Sequence, residues 1–511
     1  MTVHQPADRF DPRPHAVVIG AGFGGLAAAI RLGRRGYRVT ILERLEQVGG
    51  RASVFEQDGF RFDAGPTIIT APFVFEELWD ICGERMADHV TLKAMEPCYA
   101  IRFDDGRTFR CYSDAGRMRE EVRRLAPGDV EGWERFMLES ERCYRIGFEK
   151  MAVARYDTLG RLAKALPDLI RRRADRSVHA LVSRHVKDPA LRIALSFHPL
   201  FIGGNPLRAS AVLSLIQFLE REWGVNYAMG GTGALVQGLA DLARRQGHAI
   251  RLNATVERIL VESGRAAGVR LEGGETVPAD IVVSNADVSH TYRHMLPGAR
   301  RKRWTDARID RAAHSMSLFV WYFGTDRQWP EVDHHTVLMG PRYEGLLADI
   351  FDNKVLAEDF SLYLHRPTAT DPSVAPAGHD GFYVLAPVPN LDGDTDWTTQ
   401  AEPFRRRIEA HLARTVLPGL PRHVVTSKTF TPLDFRDRLL SVKGAAFSLE
   451  PRLTQIAWFR PHNVSEEVDG LYIVGAGTHP GAGLPGVVSA AKVLDLVVPH
   501  GETLLAASAD A

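Results

Sequence analysis

The chain has 511 residues, 45% of them hydrophobic, and its 63 basic and 63 acidic side chains give a formal net charge of zero. This length is enough for two or three domains, and the charge balance excludes a general attraction to nucleic acid. The four cysteines show no CxxC spacing, which disfavours a zinc motif and indicates thiols in a reducing compartment.

The N-terminal residues and the hydropathy pattern bear on membrane insertion. Residues 1–14 are polar, with prolines and mixed charges, and lack the apolar core of a signal peptide. No run of about 18 apolar residues, the length expected of a transmembrane helix, occurs in the chain. We therefore expect a cytoplasmic protein, which can still lie against the surface of a membrane.

The first predicted elements are an apolar strand at residues 15–19, a glycine-rich turn and a helix starting near Gly24. The glycines have the GxGxxG spacing of a dinucleotide-binding turn: the first allows the tight bend, the second admits a pyrophosphate, and the third lets helix and strand pack closely. The helix would present its N-terminal amides to that pyrophosphate. The site predicted from this turn comprises Gly20, Gly22, Phe23, Gly24 and Gly25.

A second strand, residues 38–42, leads to Glu43, about 20 residues after the turn. An acid at this point accepts hydrogen bonds from ribose hydroxyls and repels a 2′-phosphate, which disfavours NADP. Arg44, the next residue, is included in the predicted site.

Two further motifs follow, Gly49-Gly50-Arg51 and Gly65-Pro66-Thr67. Together with the turn and the acid, they resemble the amine-oxidase-like FAD flavoproteins. The resemblance implies that Gly50 and Arg51 contact the pyrophosphate, for which a guanidinium fork is suited. It also implies that Gly65, Pro66 and Thr67 lie under the flavin ring, and it favours FAD over NAD. In the wider superfamily the residue at the position of Val256 contacts the adenine, and that role is carried over to it.

Beyond these motifs the pattern alternates between helical, strand-rich and cofactor-type segments. The predicted fold class is α/β: a Rossmann-like FAD-binding domain, a mixed α+β substrate domain and a helical subdomain suited to a membrane. The predicted ranges are an FAD-binding first segment at 14–71, a helical substrate or membrane-associated region at 72–228, a second FAD-binding segment at 229–299, a substrate-binding sheet region at 300–443, a C-terminal FAD-binding segment at 444–500 and a disordered tail at 501–511.

The segment from Val474 to Gly486 reads VGAGTHPGAGLPG and resembles the C-terminal signature of bacterial phytoene desaturases, flavoenzymes of carotenoid synthesis. Amine oxidases usually carry an acid where His479 follows Thr478, and this departure favours the carotenoid branch. The resemblance extends over residues 15–495, with further matches at 197–206, 227–232, 319–324 and 459–463. It implies that Gly477 and Thr478 lie near the flavin, and that Gly486 and Val487 belong to a helix whose N-terminus stabilises the reduced ring.

No nucleophile elbow, HExxH or paired metal-ligand motif is present, so we predict no metal site and no protein nucleophile. Flavin desaturation needs mainly position and surroundings from the protein. Glu149 and His479 are weak catalytic candidates. A solvated helix face is the favoured alternative for Glu149, and a structural role is favoured for His198.

A helix predicted over 159–173 carries leucines and an isoleucine on one face and basic residues largely opposite, which suits an interfacial helix on anionic lipid. Packing on the protein core is an equal alternative, and Pro167 can divide the segment into two short helices. The insolubility of a carotenoid in water favours peripheral attachment to the membrane.

The resemblance implies an enzyme that inserts successive double bonds into 15-cis-phytoene, giving neurosporene or lycopene, with a quinone or oxygen as electron acceptor. A hydroxycarotenoid 3,4-desaturase, a carotenoid isomerase and an amine oxidase remain alternatives. From another class, a non-catalytic escort protein for lipids or isoprenoids on the same frame would be expected to lose the glycines and Arg51, which are present.

Overall fold

The structure, a computed structural model, describes residues 11–509. Its strands are β1 His15–Ile19, β2 Arg38–Leu42, β3 Val54–Gln57, β4 Phe60–Asp63, β5 Leu92–Ala94, β6 Tyr99–Arg102, β7 Thr108–Cys111, β8 Asn226–Ala228, β9 Ala249–Arg251, β10 Val256–Glu262, β11 Arg265–Leu271, β12 Thr276–Pro278, β13 Ile281–Ser284, β14 Ser317–Thr325, β15 His335–Leu338, β16 Leu362–His365, β17 Asp380–Val388, β18 Val424–Phe430 and β19 Leu471–Ile473. Its helices are α1 Phe23–Arg34, α2 Phe73–Asp80, α3 Ala115–Leu125, α4 Val130–Ile146, α5 Leu159–Arg171, α6 Val178–Ser183, α7 Pro189–Ser196, α8 Leu215–Trp223, α9 Thr232–Arg245, α10 Val288–His294, α11 Asp306–Arg311, α12 Tyr343–Ala348, α13 Trp397–Thr415, α14 Pro432–Asp437, α15 Leu484–Val493 and α16 Gly501–Ala509.

A five-stranded parallel sheet, in the order β19-β13-β1-β2-β9, carries the glycine-rich turn. Central strand β1 is buried along its whole length, as expected of a parallel sheet covered on both faces. Its last residue, Ile19, pairs with Ser284 of β13 and Leu42 of β2, so the turn, Asn285 and Glu43 all emerge at one edge. The strands come from the three chain segments that the sequence pattern assigns to FAD binding, and the boundaries of those segments as domains stay a prediction.

Helix α1 packs against α9 and α15 beside this sheet. Gly25 must be a glycine here, because a Cβ at this position would lie 1.9 Å from the carbonyl oxygen of Gly20. Gly20 has a φ of +92°, a conformation that residues with a side chain rarely adopt. The close approach of helix to strand predicted for the third glycine of the turn is thus present.

A second, seven-stranded sheet has the order β18-β14-β17-β16-β15-β6-β7. Strand β14 lies inside it and is buried throughout, since apolar side chains cover both of its faces. Strands β6 and β7 reach this sheet from the range predicted to be helical, and β5 and β8 pair in the same range. That helical prediction was wrong for these strands, because segments of three or four residues are too short to show an alternating pattern.

Helix α5 runs continuously through Pro167, so the division into two short helices does not occur. Proline removes the hydrogen bond that the carbonyl of Ala163 would accept. Both Ala163 and Pro167 are exposed, so water can bond that carbonyl instead.

The prediction of a disordered tail was wrong for the described part of 501–511. Residues Gly501–Ala509 form α16, the Gly501 amide donates to the carbonyl of Arg35 at 2.8 Å, and Leu504 packs on the core around α1. Residues 510 and 511 lie outside the described residues. Over residues 11–509, no helix combines the length and apolarity required to cross a bilayer.

Candidate functional site

A cavity of about 560 Å³ is lined by the strand ends of the parallel sheet, by the seven-stranded sheet and by the helical region. Most predicted cofactor residues line it: Gly20, Gly22, Phe23, Gly24, Glu43, Arg44, Gly50, Arg51, Gly65, Pro66, Thr67, Val256, Gly486 and Val487. Gly25, Gly477 and Thr478 do not. The lining therefore joins residues from both ends of the chain in one site.

The N-termini of two helices open into this cavity without side-chain caps. Helix α1 follows Gly22, and α15 follows Gly483, neither of which has a side chain to occupy the first amides. Unpaired amides at a helix N-terminus bind anions and favour negative charge. A Cβ on Gly24 would lie 2.5 Å from Oδ1 of Asn285, so the glycines keep the chain close to the cavity wall. These two helix ends suit a phosphate and an electron-rich ring respectively.

Glu43 is buried at the end of β2, where its Oε2 accepts from the Ala21 amide at 2.7 Å and its Oε1 from the Leu45 amide at 2.9 Å. Burial raises the pKa of this carboxyl, and the two amides oppose the shift. Each carboxylate oxygen has a further lone pair, which can accept a ribose hydroxyl. Neighbouring Arg44 donates to the carbonyls of Asp437 and Arg438 at the rim.

Arg51 is a half-buried cation of the site. It donates to Oγ of Ser441 at 2.6 Å, while its Nε has no partner among residues 11–509. Burial lowers the pKa of this guanidinium, and the charge of Asp287 opposes the shift. A half-buried, incompletely paired guanidinium in a cavity that also holds two uncapped helix ends fits the pyrophosphate of a dinucleotide.

The C-terminal loop, residues 474–483, and the start of α15 line the cavity, but two of the four residues predicted there do not. Gly475, Ala476 and 479–487 line it, and these include the predicted Gly486 and Val487. Thr478 is instead fully buried and donates to the carbonyl of Pro461 at 2.6 Å. A Cβ on Gly477 would meet Val288 at 2.4 Å, on the side of the protein core. The predicted contact of Gly477 and Thr478 with the cavity is therefore corrected, since their packing and hydrogen bonds turn them inward.

Arg460 supports this loop through hydrogen bonds to its backbone. Its guanidinium donates to the carbonyls of Thr478 and Ala476 at 3.0 and 2.7 Å, and also to those of Gln455 and Leu449. Burial lowers its pKa to about 10. Four backbone carbonyls around one buried guanidinium give the loop a rigid support.

His479 lines the cavity beside that support. Its Nε2 donates to the carbonyl of Met151 at 2.8 Å, and its Nδ1 has no partner in the described chain. Burial lowers its pKa to about 4, so the ring is neutral near pH 7. In this state it links the C-terminal loop to the helical region through the Met151 carbonyl, and its Nδ1 keeps an unpaired lone pair among the described residues.

Glu149 is exposed on the turn Gly147–Met151 and does not line the cavity, so it cannot serve as a carboxylate beside the substrate there. His198 is buried outside the lining, with its Nε2 at 2.7 Å from the hydroxyl of Tyr99. Both placements agree with the alternatives favoured for these residues in the sequence analysis.

Glu220 is a lining residue that the sequence analysis missed. Its Oε2 accepts from the Tyr99 hydroxyl at 2.8 Å and lies 3.2 Å from Nε2 of His198, while its Oε1 has no partner among the described residues. Glu220 and Glu222 both lie on α8, and only packing decides that the first is buried and the second exposed. No local signal could have separated them.

Three tyrosines of the seven-stranded sheet hold the 64–67 segment against the cavity. Tyr322 donates to the carbonyl of Ala64 at 2.7 Å, Tyr383 donates to that of Gly65 at 3.0 Å, and the Tyr363 hydroxyl lies 2.7 Å from Oγ1 of Thr67. Beyond these hydroxyls the walls are mainly apolar, with lining residues that include Phe197, Leu219, Leu318, Val320, Val337 and Phe435.

Helix α5 uses its apolar residues in two ways. Leu169 is buried, and Leu162 packs on the core, as one alternative predicted. Leu159, Leu166 and Ile170 are instead 60%, 44% and 70% exposed. The helix contacts the turn Ala457–Phe459, of which Ala457 lines the cavity, so the exposed side chains belong to a helix next to a cavity wall.

A parallel sheet that presents uncapped helix ends, a half-buried arginine and a ribose-type acid to an apolar cavity defines the class of a dinucleotide-dependent flavoenzyme. The model of the family described as flavin containing amine oxidoreductase matches residues 23–493, and the chain belongs to this family. FAD is its cofactor, and the predicted α/β flavoprotein fold is confirmed.

The relatives narrow the class to carotenoid desaturases. The chain is 49% identical over 490 residues to the neurosporene-forming phytoene desaturase of Rhodobacter capsulatus, covering 95% of this chain and 94% of that protein. It is 46% identical over 477 residues to the lycopene-forming phytoene desaturase of Pseudescherichia vulneris, with 93% and 97% covered. The crystal structure of an oxidoreductase from Methanosarcina mazei matches with a TM-score of 0.64 at 19% identity, over 94% of this chain and 99% of that one, which shows the shared fold.

Proposed function

We propose that this flavoenzyme desaturates 15-cis-phytoene in successive steps, giving neurosporene or lycopene. The observation that carries the proposal is the composition of the cavity. Arg51 and Glu43 line it together with many leucine, valine and phenylalanine side chains. Such walls bind a hydrocarbon chain and offer little to a charged amine. Relatives 49% and 46% identical, each named as a phytoene desaturase, support the same substrate.

When bound, FAD accepts the two electrons of each desaturation as a hydride. The residues of this chain hold the polyene, exclude water and take up the proton released from the adjacent carbon. We assign proton uptake to Glu220, because its Oε2 is held by Tyr99 and His198 while its Oε1 is free in the described chain. The 64–67 segment, held by the three tyrosines, forms a firm support on the flavin side.

Contact with the cytoplasmic membrane is part of the proposal. Burying each CH₂-sized unit of a polyene is favourable by about 0.8 kcal/mol, so the substrate resides in a bilayer. The exposed Leu159, Leu166 and Ile170 suit insertion into the lipid interface, with exposed Lys164 and Arg171 near anionic headgroups. We propose a cytoplasmic enzyme that rests on this helix and passes electrons to a quinone or to oxygen.

The test is incubation of the purified FAD-loaded protein with phytoene in liposomes, with a quinone or air as acceptor, followed by separation of the pigments. We expect loss of phytoene and the appearance of neurosporene or lycopene. Unchanged phytoene, together with conversion of a hydroxylated carotenoid, would contradict the assignment. Hydrogen peroxide release with amines would favour an amine oxidase, and a preparation without flavin absorbance would favour an escort protein.

A further inference from the structure

Three buried histidines lie together at the boundary of two strands of the seven-stranded sheet. His335 begins β15 and pairs with His365 at the end of β16, and His334 directly precedes β15. One ring nitrogen from each lies within 4.8 Å of the others, and the Nε2 atoms of His334 and His365 are 3.1 Å apart. None of the three lines the cavity, so the cluster is separate from the substrate site.

The hydrogen-bond partners of His334 fit a tautomer with hydrogen on Nδ1. Its Nδ1 lies 2.7 Å from Oγ1 of Thr370, and the Thr370 hydroxyl donates its own hydrogen to Sδ of Met95 at 3.7 Å. In the tautomer of His334 with hydrogen on Nδ1, Thr370 accepts from Nδ1–H and directs its own hydrogen to the sulfur. The Nε2 of His334 then keeps a lone pair.

A chain of hydroxyls fits the corresponding tautomer of His335. Its Nδ1 lies 2.6 Å from the Tyr363 hydroxyl, which lies 2.7 Å from Oγ1 of Thr67, and Thr67 is 3.4 Å from the Tyr383 hydroxyl. Tyr383 donates to the carbonyl of Gly65, so every hydrogen in the chain has an acceptor if His335 Nδ1–H is the first donor. The Nε2 of His335 then has a lone pair with no partner among the described residues.

In these tautomers the Nε2 atoms of His334 and His335 are both acceptors, and a buried acceptor without a donor is costly in an apolar interior. If His365 donates to His334, the Nε2 of His335 still has no partner. A cation shared by the three rings satisfies all of them at once.

Neutral imidazole is a preferred zinc ligand, and zinc-bound histidines commonly donate their other ring N–H to a second group. Thr370 and Tyr363 are such groups for His334 and His335. Two nitrogens on a tetrahedral zinc ion lie roughly 3.3 Å apart, given Zn–N bonds of about 2.0–2.1 Å. The 3.1 Å separation of His334 and His365 is close to that spacing.

We propose that His334, His335 and His365 form a zinc site with a water molecule as the fourth ligand. The three histidines are not among the predicted cofactor residues, and they do not line the cavity. It acts as a positioning element: zinc on Nε2 of His335 strengthens Nδ1–H as a donor to Tyr363, and the chain through Thr67 and Tyr383 ends on the Gly65 carbonyl beside the flavin end.

The test uses protein purified without a polyhistidine tag. The protein is incubated with zinc sulfate, passed over a desalting column and measured by inductively coupled plasma mass spectrometry. We expect about one zinc ion per chain in the unchanged protein, and a loss of about tenfold or more in His335→Gln and His365→Gln. His248→Gln is the matched control, because His248 is also buried with both ring nitrogens unpartnered but lies outside the cluster. It should keep the full zinc content.

Flavin absorbance and thermal unfolding show whether each variant is folded. Failure of the unchanged protein to retain zinc overturns the proposal, as does equal zinc in a folded His335→Gln variant. If the variants do not fold, zinc X-ray absorption of the unchanged protein decides: scattering from three imidazoles supports the site, and its absence overturns it. Zinc content is measured independently of phytoene turnover. The zinc proposal can therefore fail while the proposed function holds, and the proposed function can fail while the zinc site is present.

Discussion

At the scale of single residues, the site depends on charges that have been taken out of water and left partly unpaired. Arg51 and Glu220 each keep one polar atom without a partner in the described chain, and both atoms belong to side chains that line the cavity. Such groups are costly in an empty interior and become favourable when a ligand completes them. The consequences can be tested by single substitutions.

Replacing Arg51 by alanine should weaken FAD binding by about 10–100-fold, because a hydrogen bond to a charged group contributes about 1.5–3 kcal/mol. Titration of the FAD-free protein with FAD, followed by flavin fluorescence, measures the change. Arg406→Ala is the control, since Arg406 is an exposed residue of α13 outside the cavity. Equal affinity in the Arg51→Ala variant would exclude a contact with the pyrophosphate.

Replacing Glu220 by glutamine should lower the rate of phytoene desaturation by about 100-fold or more, the lower end of the effect of general acid–base groups. FAD content should not change, because Glu220, on α8, is not among the predicted FAD residues and glutamine has nearly the same size. Glu222→Gln, an exposed change on the same helix, serves as control. If Glu220→Gln turns over phytoene at the normal rate, another group takes the proton.

Acidification should destabilise the protein through His479. Its pKa is about 4 in the folded protein and about 6.5 when unfolded. Between these values the unfolded chain binds more protons, so stability falls as the pH decreases from about 6.5 to about 4. This histidine alone should cost about 2 kcal/mol between pH 7 and pH 5.

Thermal unfolding at both pH values measures this loss. The decrease in melting temperature should be smaller in His479→Asn than in the unchanged protein. The exposed His500→Asn should behave like the unchanged protein. An identical pH dependence in all three proteins would show that His479 is not the titrating group.

At the scale of elements, local patterns predicted those parts whose residues are neighbours in the chain. The strand at 15–19, the strand at 38–42 and the helix between them lie where apolar runs and glycines indicated them. The short strands β6 and β7 were missed, because their partners lie elsewhere in the sequence and their own pattern is too short. For α5 the pattern predicted an amphipathic helix but not which apolar side chains would stay exposed.

Substituting both Leu166 and Ile170 of α5 by glutamate should lower binding to liposomes of anionic lipid by about tenfold or more, because each apolar side chain contributes about 1.5–3 kcal/mol when buried. Co-sedimentation with the liposomes measures the bound fraction. Val425→Glu is a suitable control, since Val425 is 50% exposed on β18. FAD absorbance should be unchanged in both proteins. Unaltered sedimentation of the double variant would assign the membrane contact to another surface.

At the scale of the whole molecule, the cofactor site joins two helix N-termini that are more than four hundred residues apart in sequence. Helices α1 and α15 pack against each other, and the loops before both line the same cavity. A ligand that contacts both must stabilise the folded protein by its binding free energy. The N-termini of α1 and α15 should therefore both lose protection from amide hydrogen exchange when FAD is removed.

Removing FAD should increase amide hydrogen exchange at 20–25 and at 481–487 in parallel, while β14 and β17 keep their protection. The first two segments bear the unpaired amides of the helix ends, whereas the strands are paired within the seven-stranded sheet. Mass spectrometry of the FAD-loaded and FAD-free proteins measures both. Increased exchange at one end alone would contradict a shared cofactor site.

The sequence by itself determined the type of cofactor, the order of the motifs and the kinship with carotenoid desaturases. These depend on residues close together in the chain, where a strand, a tight turn and a helix start leave a local pattern. Only the tertiary structure decided that Thr478 faces the interior, that Glu220 rather than Glu149 lines the cavity, and that three histidines meet across β15 and β16. The reason is physical: burial and sheet register bring distant residues together, and neither is encoded in the spacing of a single segment.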